Sequence, residues 1–378
     1  MQITKEFCEE ITEGSTKIIV PKKSITDLVP PKDPAFFNPK AKETRDVSII
    51  IYKTFLKNFK GPKVFLEGLS GVGARGLRVA NEIQVEKVVI NDLNPSGLEL
   101  AKFSAELNNL NNIEFSQNDI CRFLSLYSKK GNRGSIVDID PFGSSAEFFD
   151  CGLRATMHGG ILSCTSTDLQ VLHGLFQKAC KRKYGGIPIR TKYGNEIAIR
   201  LILGCLGTVA GRLGIEIIPI FVESSMHYYR TYVKVFNRID QKDNLGFINH
   251  CTYCGNRVMS LEKETECEIC KSPNISAGPL WIGKIFNKEF LQSMFFEFGH
   301  LESEKTQTAI TKCLSESDMP GTYFTLDEIA ARMRGSPIKL QSAITKLQEK
   351  GFVSSPTSFS PTGFRTNAKI NEIISIFS

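Results

Sequence analysis

The sequence predicts an α/β protein that carries a smaller α+β unit toward its C-terminal end. Three observations point there: short β-branched runs alternate with amphipathic stretches from Val47 to about Phe236, the alternation stops near Asn237, and two Cys-x-x-Cys pairs then precede a mostly helical tail. Such alternation is the pattern of βαβ units around a mostly parallel sheet. A chain of 378 residues exceeds the usual single domain. We therefore divide it at 1–238, with an extension over 1–48, and 239–378, with a cysteine module over 250–271 and a winged-helix-like unit over 310–378.

The extension reads as a polar lead-in without long helices, because Pro21, Pro30, Pro31, Pro34 and Pro39 interrupt it. Arg45-Asp46 marks a helix start. Strands are expected near 63–67, 87–91, 112–116, 135–140, 159–164, 216–222 and 229–236. The last two are joined by a short polar link and predict a hairpin at the sheet edge. In the tail, Thr325 with Glu328 forms a capping box, Ser336-Pro337 opens a further helix and Gly351 closes it, before a β-like segment over 352–364.

A net charge of +7 permits an anionic partner without establishing one. Eleven cysteines, an odd number with only four in paired spacing, argue against a secreted disulfide scaffold. No uncharged apolar stretch approaches the roughly 18 residues of a membrane span, and no apolar signal segment opens the chain. The expectation is a cytoplasmic protein with no membrane association and no obligate protein partner.

Three strand ends carry the candidate chemistry. After Lys63-Val64-Phe65-Leu66 comes Glu67-Gly68-Leu69-Ser70-Gly71-Val72-Gly73, where Gly68, Gly71 and Gly73 let backbone approach a ligand closely. After Val88-Val89-Ile90 comes Asn91-Asp92, whose carboxylate is placed to accept from a ribose diol, or to cap a turn. No GK[ST] follows the glycines, which argues against a phosphate-cradling P-loop. Asp119 follows the next strand, where methyltransferase sheets contact an adenine amine, and Arg75 and Arg78 lie on the glycine loop.

The third strand end is Asp140-Pro141-Phe142-Gly143. A carboxylate, a proline carbonyl and an aromatic face together suit a planar base bearing an exocyclic amine. Asp140 and the Pro141 carbonyl accept the two amine hydrogens, and Phe142 stacks on the base. The nitrogen turns cationic and acidic as a methyl arrives, so an ordinary carboxylate suffices to take its proton. With this strand end, S-adenosyl-L-methionine is the preferred cofactor over a dinucleotide, and the fold expected is Rossmann-like, of the class I S-adenosylmethionine-dependent methyltransferase type. Phe36-Phe37 supplies either the second side of an aromatic clamp or a packing anchor. Arg45 reaches a cofactor carboxylate or an RNA phosphate, or else pairs with Asp46 or Glu43.

Cys251, Cys254, Cys267 and Cys270 have the spacing of a four-cysteine zinc ribbon, a closed structural site. The segment Lys178, Lys181, Arg182, Lys183, Tyr184, Arg190, Lys192 and Tyr193 reads as a basic loop with interleaved aromatics, suited to phosphates and splayed bases, or as a solvated surface.

These residues resemble the archaeal tRNA guanine-26 N2-dimethyltransferases. The likeness is carried by Phe36-Phe37-Asn38-Pro39, Arg45-Asp46-Val47-Ser48, Gly71-Val72-Gly73-Ala74-Arg75-Gly76-Leu77-Arg78, Asn91-Asp92-Leu93-Asn94-Pro95, Asp140-Pro141-Phe142-Gly143-Ser144 and Tyr193-Gly194-Asn195-Glu196. The resemblance implies two successive methylations of guanosine 26 in tRNA. It also implies cofactor contacts from Arg45, Arg75, Asp92 and Asp119, catalysis at Asp140, and a base clamp of Phe37 and Phe142. Thr44, Ser145 and His173 depart from its usual pattern. The alternatives are a methyltransferase for another exocyclic amine, adenine N6 or rRNA guanine N2, and a non-catalytic nucleic-acid-binding regulator.

Overall fold

The structure, a computed structural model, describes residues 7–239, 243–297 and 304–378. Residues 1–6, the start of the expected extension, lie outside the described residues. The extension is not an irregular lead-in. Strands β1 (Cys8–Glu13) and β2 (Thr16–Pro21) pair antiparallel across the two-residue turn Gly14-Ser15, and α1 (Lys22–Thr26) and α2 (Lys42–Asn58) follow.

The sheet is built from β3 (Val64–Glu67), α3 (Ala74–Glu82), β4 (Lys87–Asn91), α4 (Pro95–Leu107), β5 (Ile113–Ser116), α5 (Ile120–Leu126), β6 (Gly134–Ile139), α6 (Phe149–Ala155) and β7 (Thr156–Ser166). After α7 (Leu169–Leu172), α8 (Gln177–Tyr184) and α9 (Gly194–Arg212), strands β8 (Glu216–Ser224) and β9 (Tyr229–Phe236) complete it. The order is β5-β4-β3-β6-β7-β9-β8, parallel through β7, with β9 and β8 added antiparallel as the expected edge hairpin. The chain winds from β3 outward to β5 and returns at β6 on the other side of β3. The carboxyl ends of β3 and β6 therefore flank the switch point at which open α/β sheets bind ligands.

Strands β10 (Leu245–Cys251), β11 (Arg257–Ser260) and β12 (Asn274–Trp281) form a second sheet in the order β11-β10-β12. It seats against α9, and with α10 (Lys288–Phe295) it delivers Leu280, Trp281, Phe290 and Leu291 to the main core. The tail comprises α11 (Glu304–Glu316), β13 (Phe324–Thr325), α12 (Leu326–Met333), α13 (Leu340–Glu349), β14 (Ser354–Pro356), β15 (Gly363–Thr366) and α14 (Ile370–Phe377). Its three strands form one sheet, and Leu326, Ile329, Ile344, Leu347, Phe364 and Ile373 make a separate small core.

Three local expectations change. Only half of the capping box forms: Thr325 accepts from the Glu328 amide at 3.2 Å, but the Glu328 carboxylate turns to Arg257 at 2.9 Å. The helix expected at Ser336-Pro337 begins at Leu340, and Gly351 closes it as expected, at φ +86 with the Phe352 amide bonded to Leu347 O. The basic segment is a helix through Tyr184 rather than a loop, and Tyr184 and Tyr193 are buried, so neither ring is free to stack on a base. Cys121 and Cys151 form a disulfide that ties α5 to α6, a pairing their spacing did not signal.

Candidate functional site

A cavity of about 440 Å³ opens at the carboxyl ends of β3, β4, β6 and β7. Of the residues singled out in the sequence, Phe37, Arg45, Gly71, Arg75, Asp92, Asp140, Pro141 and Phe142 line it. Gly68, Gly73 and Asp119 stand outside its lining. Gly73 caps α3 at φ +73, and a Cβ on Gly68 would meet Ile120 Cδ1 at 2.6 Å, so both shape the loop from behind. Gly71 has the stricter requirement: its φ is +56, and a Cβ would lie 2.7 Å from the Phe36 carbonyl oxygen.

Asp92 holds that loop. Its Oδ2 accepts from the Gly71 amide at 2.7 Å and its Oδ1 from the Asn94 amide at 2.8 Å, so the turn-capping role is real. A carboxylate has further acceptor capacity, and Asp92 still faces the cavity. Asp119 is exposed and caps α5 through Oδ1, which accepts from Cys121 and Arg122 amides. Arg45 forms a fork with Glu13 at 2.7 and 2.5 Å and lies over the Phe37 ring. Asp46 is taken by Lys42 and Arg78.

Around Asp140, sequence reasoning missed most of the machinery. Arg75 Nη1 donates to Asp138 Oδ1 at 3.0 Å and to Asp140 Oδ2 at 2.9 Å. Arg230, fully buried on β9, bonds Asp138 Oδ2, and its Nη1 stands 3.7 Å from Asp140 Oδ2. Tyr52 and Ser163 also donate to Asp138 Oδ2. Burial pushes the Asp140 carboxyl up, yet Arg75 and then Arg230 outweigh it and hold the group below its ordinary carboxylate range. Asp140 is thus ionised at neutral pH, and it is a third exposed toward the cavity. At the foot of the site, burial and the neighbouring Asp138 push Glu67 up to about 8, although Arg75 and the Gly76 amide oppose them.

At the cavity mouth Phe142 is 57 % exposed. Phe36 meets it edge-on at 4.7 Å and Lys32 Nζ lies 4.4 Å from its ring centre. Phe37 is buried and serves as wall, so the ring facing Phe142 is Phe36. The pairs Phe36-Phe37 and Asp138-x-Asp140 were visible in the sequence; the partners Glu13 and Arg230 carried no local signal.

Ser70 Oγ and Arg75 Nε are buried without a hydrogen-bond partner among the described residues, and both residues line the cavity. Unsatisfied polar atoms beside a glycine turn and a strand-end acid fit a polar nucleoside ligand such as S-adenosyl-L-methionine. Away from the site, the four thiols of Cys251, Cys254, Cys267 and Cys270 lie within 4.8 Å of one another, with pairs at 3.5 and 3.6 Å. Tetrahedral zinc at Zn–S of about 2.3 Å requires sulfurs about 3.8 Å apart, so the cluster fits that metal.

A family model described as N2,N2-dimethylguanosine tRNA methyltransferase matches residues 14–378. The chain is 32% identical to the tRNA (guanine(26)-N(2))-dimethyltransferase of Methanobrevibacter smithii, over 97% of each chain. It is likewise 32% identical to that of Methanosphaera stadtmanae, covering 96% of this chain and 95% of the relative. Among solved structures, Trm1 from Pyrococcus horikoshii in complex with S-adenosyl-L-methionine superposes with a TM-score of 0.83 at 27% identity, covering 97% of this chain and 99% of that one.

Proposed function

Because the chain belongs to the N2,N2-dimethylguanosine tRNA methyltransferase family, we propose that the cavity at the strand ends is its active site and Asp140 its catalytic base. The enzyme transfers methyl groups from S-adenosyl-L-methionine to the exocyclic N2 of guanosine 26 in tRNA, giving N2-methyl- and then N2,N2-dimethylguanosine. The observation that carries the assignment of roles is the Asp140 carboxylate, kept ionised by two arginines and lining the cavity together with Pro141 and the exposed Phe142.

Asp92 and Asp119 offer their remaining acceptor positions to the ribose diol and the adenine amine. Arg45, Arg75 and the Gly68–Gly71–Gly73 loop hold the methionine end. When bound, the cofactor supplies an electrophilic methyl. Phe142 stacks on the guanine, and Asp140 and the Pro141 carbonyl orient the N2 hydrogens. As the N–C bond forms, N2 becomes cationic and its proton passes to Asp140. The secondary amine left after the first round retains one hydrogen, which Asp140 takes in the second. The paired guanidinium groups fix the carboxylate's direction and keep it charged, at the cost of some basicity that an acidic ammonium does not need.

Asp140→Ala should lower kcat by roughly 10²–10⁴-fold while the protein stays folded and binds S-adenosyl-L-methionine. Full activity in that variant overturns the mechanism. We further propose that zinc occupies the four-cysteine cluster as a structural ion, that residues 239–378 dock the tRNA, and that the chain acts in the cytoplasm without an obligate protein partner. No described helix is long and apolar enough to cross a membrane.

A further inference from the structure

We propose that a second cavity, between α7 and the segment after α8, is a nucleotide subsite that receives a base of the substrate tRNA adjoining the target guanosine. The inference rests on the reading of the chain as a tRNA methyltransferase. This cavity, of about 430 Å³, is lined by Leu169, Gln170, His173, Leu175, Arg190 and Thr191. Its size lies in the range of small-ligand sites.

Position ties it to the active site. Thr167 lines the main cavity and Leu169 the second, so the two are joined by a span of at most about 7 Å. Thr167 and Gly143 exchange hydrogen bonds, amide to carbonyl and amide to hydroxyl, each 2.7 Å. The strand end that holds the catalytic loop therefore also fixes the second cavity, at a separation one RNA strand bridges. The carboxyl end of α7 is tied to the tail: His173 bonds Tyr229, Tyr229 donates to Asn195, and Asn195 donates to the Phe359 carbonyl at 3.0 Å.

The chemistry fits a base attached to phosphates. Leu169 and Leu175 give an apolar wall, with Leu175 and the neighbouring Phe176 each about half exposed. The Gln170 amide offers donor and acceptor together, and Thr191 Oγ1 is buried without a partner among the described residues. Among the described residues, Arg190 and the nearby Lys178, Lys181, Arg182 and Lys192 form no ion pair, while the local acid Asp168 is already held by Lys183 and Tyr184. The face thus carries a surplus of positive charge beside a pocket that recognises a flat, amphipathic group, which is how single-stranded RNA is gripped.

The test is a coupling experiment with the full chain and unmodified tRNA transcripts. Single abasic sites are placed, one per transcript, within three nucleotides on either side of guanosine 26, and kcat/KM is measured for wild type, Leu175→Ala and Gln170→Ala. Both side chains are exposed and outside the main cavity, so retained S-adenosyl-L-methionine binding verifies the fold. One abasic position should lower wild-type kcat/KM roughly tenfold, the worth of a base contact, and lower that of each variant less than about threefold further. Losses that multiply independently at every position overturn the subsite while leaving the methyltransferase reading intact. A wild-type enzyme inactive on the intact tRNA overturns both.

Discussion

Two arginines decide how the acids at the strand ends behave. Arg75 and Arg230 share Asp138 and Asp140 between them, and Glu67, buried three residues before Ser70, forms no ion pair among the described residues. Its carboxyl is pushed up to about 8, so the folded protein keeps a proton there that the unfolded chain gives up at an ordinary carboxylate pKa. Stability on account of Glu67 therefore falls as pH rises through that window and levels off above it. Glu67→Gln should gain thermal stability over wild type progressively as pH rises from about 5 to about 8, read as the difference in Tm; a difference constant with pH contradicts the assignment. At this scale Asp140 and Asp92 were legible, because a motif is local. The Asp138–Arg230 and Glu13–Arg45 pairs were not, since each joins distant segments, and Arg230 within an apolar strand has the pattern of an outward-facing residue.

Elements were legible where hydrophobic period alone determines them. Every strand of the main sheet falls within a few residues of its apolar run, and the edge hairpin followed from a link too short for a crossover. The β1–β2 hairpin escaped because β1 is mostly polar and only β2 sends a short apolar stretch, Ile18 and Val20, into the core; the Gly14-Ser15 pair between the strands was the available signal. Half of the capping box was lost to a tertiary competitor, Arg257, which holds the Glu328 carboxylate from the second sheet. The four cysteines gather at one end of that sheet: Cys251 ends β10 and Cys267 and Cys270 lie on the loop leading to β12, so a zinc ion held there would close one end of a sheet that packs on α9. Metal analysis should return about one zinc per chain, and Cys254→Ser should lower both zinc content and Tm. A folded sample with no zinc and four free thiols contradicts this.

Across the whole molecule, the main hydrophobic core runs from Ile18 to Phe359 and joins the catalytic sheet to the second sheet and part of the tail. A buried ionic network reinforces the junction: Arg365 on β15 pairs with Glu316 on α11 at 2.5 Å and with Glu196 on α9 at 3.0 Å, and Glu196 also holds Arg200. Removing one member of such a network costs about 3–5 kcal/mol, because a buried charge is left without its partner. The tail is thereby held in a fixed relation to the strand ends, as an enzyme requires if it grips tRNA at one place and methylates it at another. None of this was legible in the sequence, since the charged residues involved look like any polar surface until tertiary packing brings them together.

The most direct measurement combines unmodified tRNA with S-adenosyl-L-methionine and the purified chain, followed by mass spectrometry of the digested nucleosides, with inosine replacing guanosine 26 in a parallel transcript. Inosine lacks the exocyclic amine on which the proposed roles of Asp140 and Pro141 depend. N2,N2-dimethylguanosine formed on the first transcript and absent from the second is the predicted result. Methylation that persists on the inosine transcript, or a product methylated on another atom, contradicts the account.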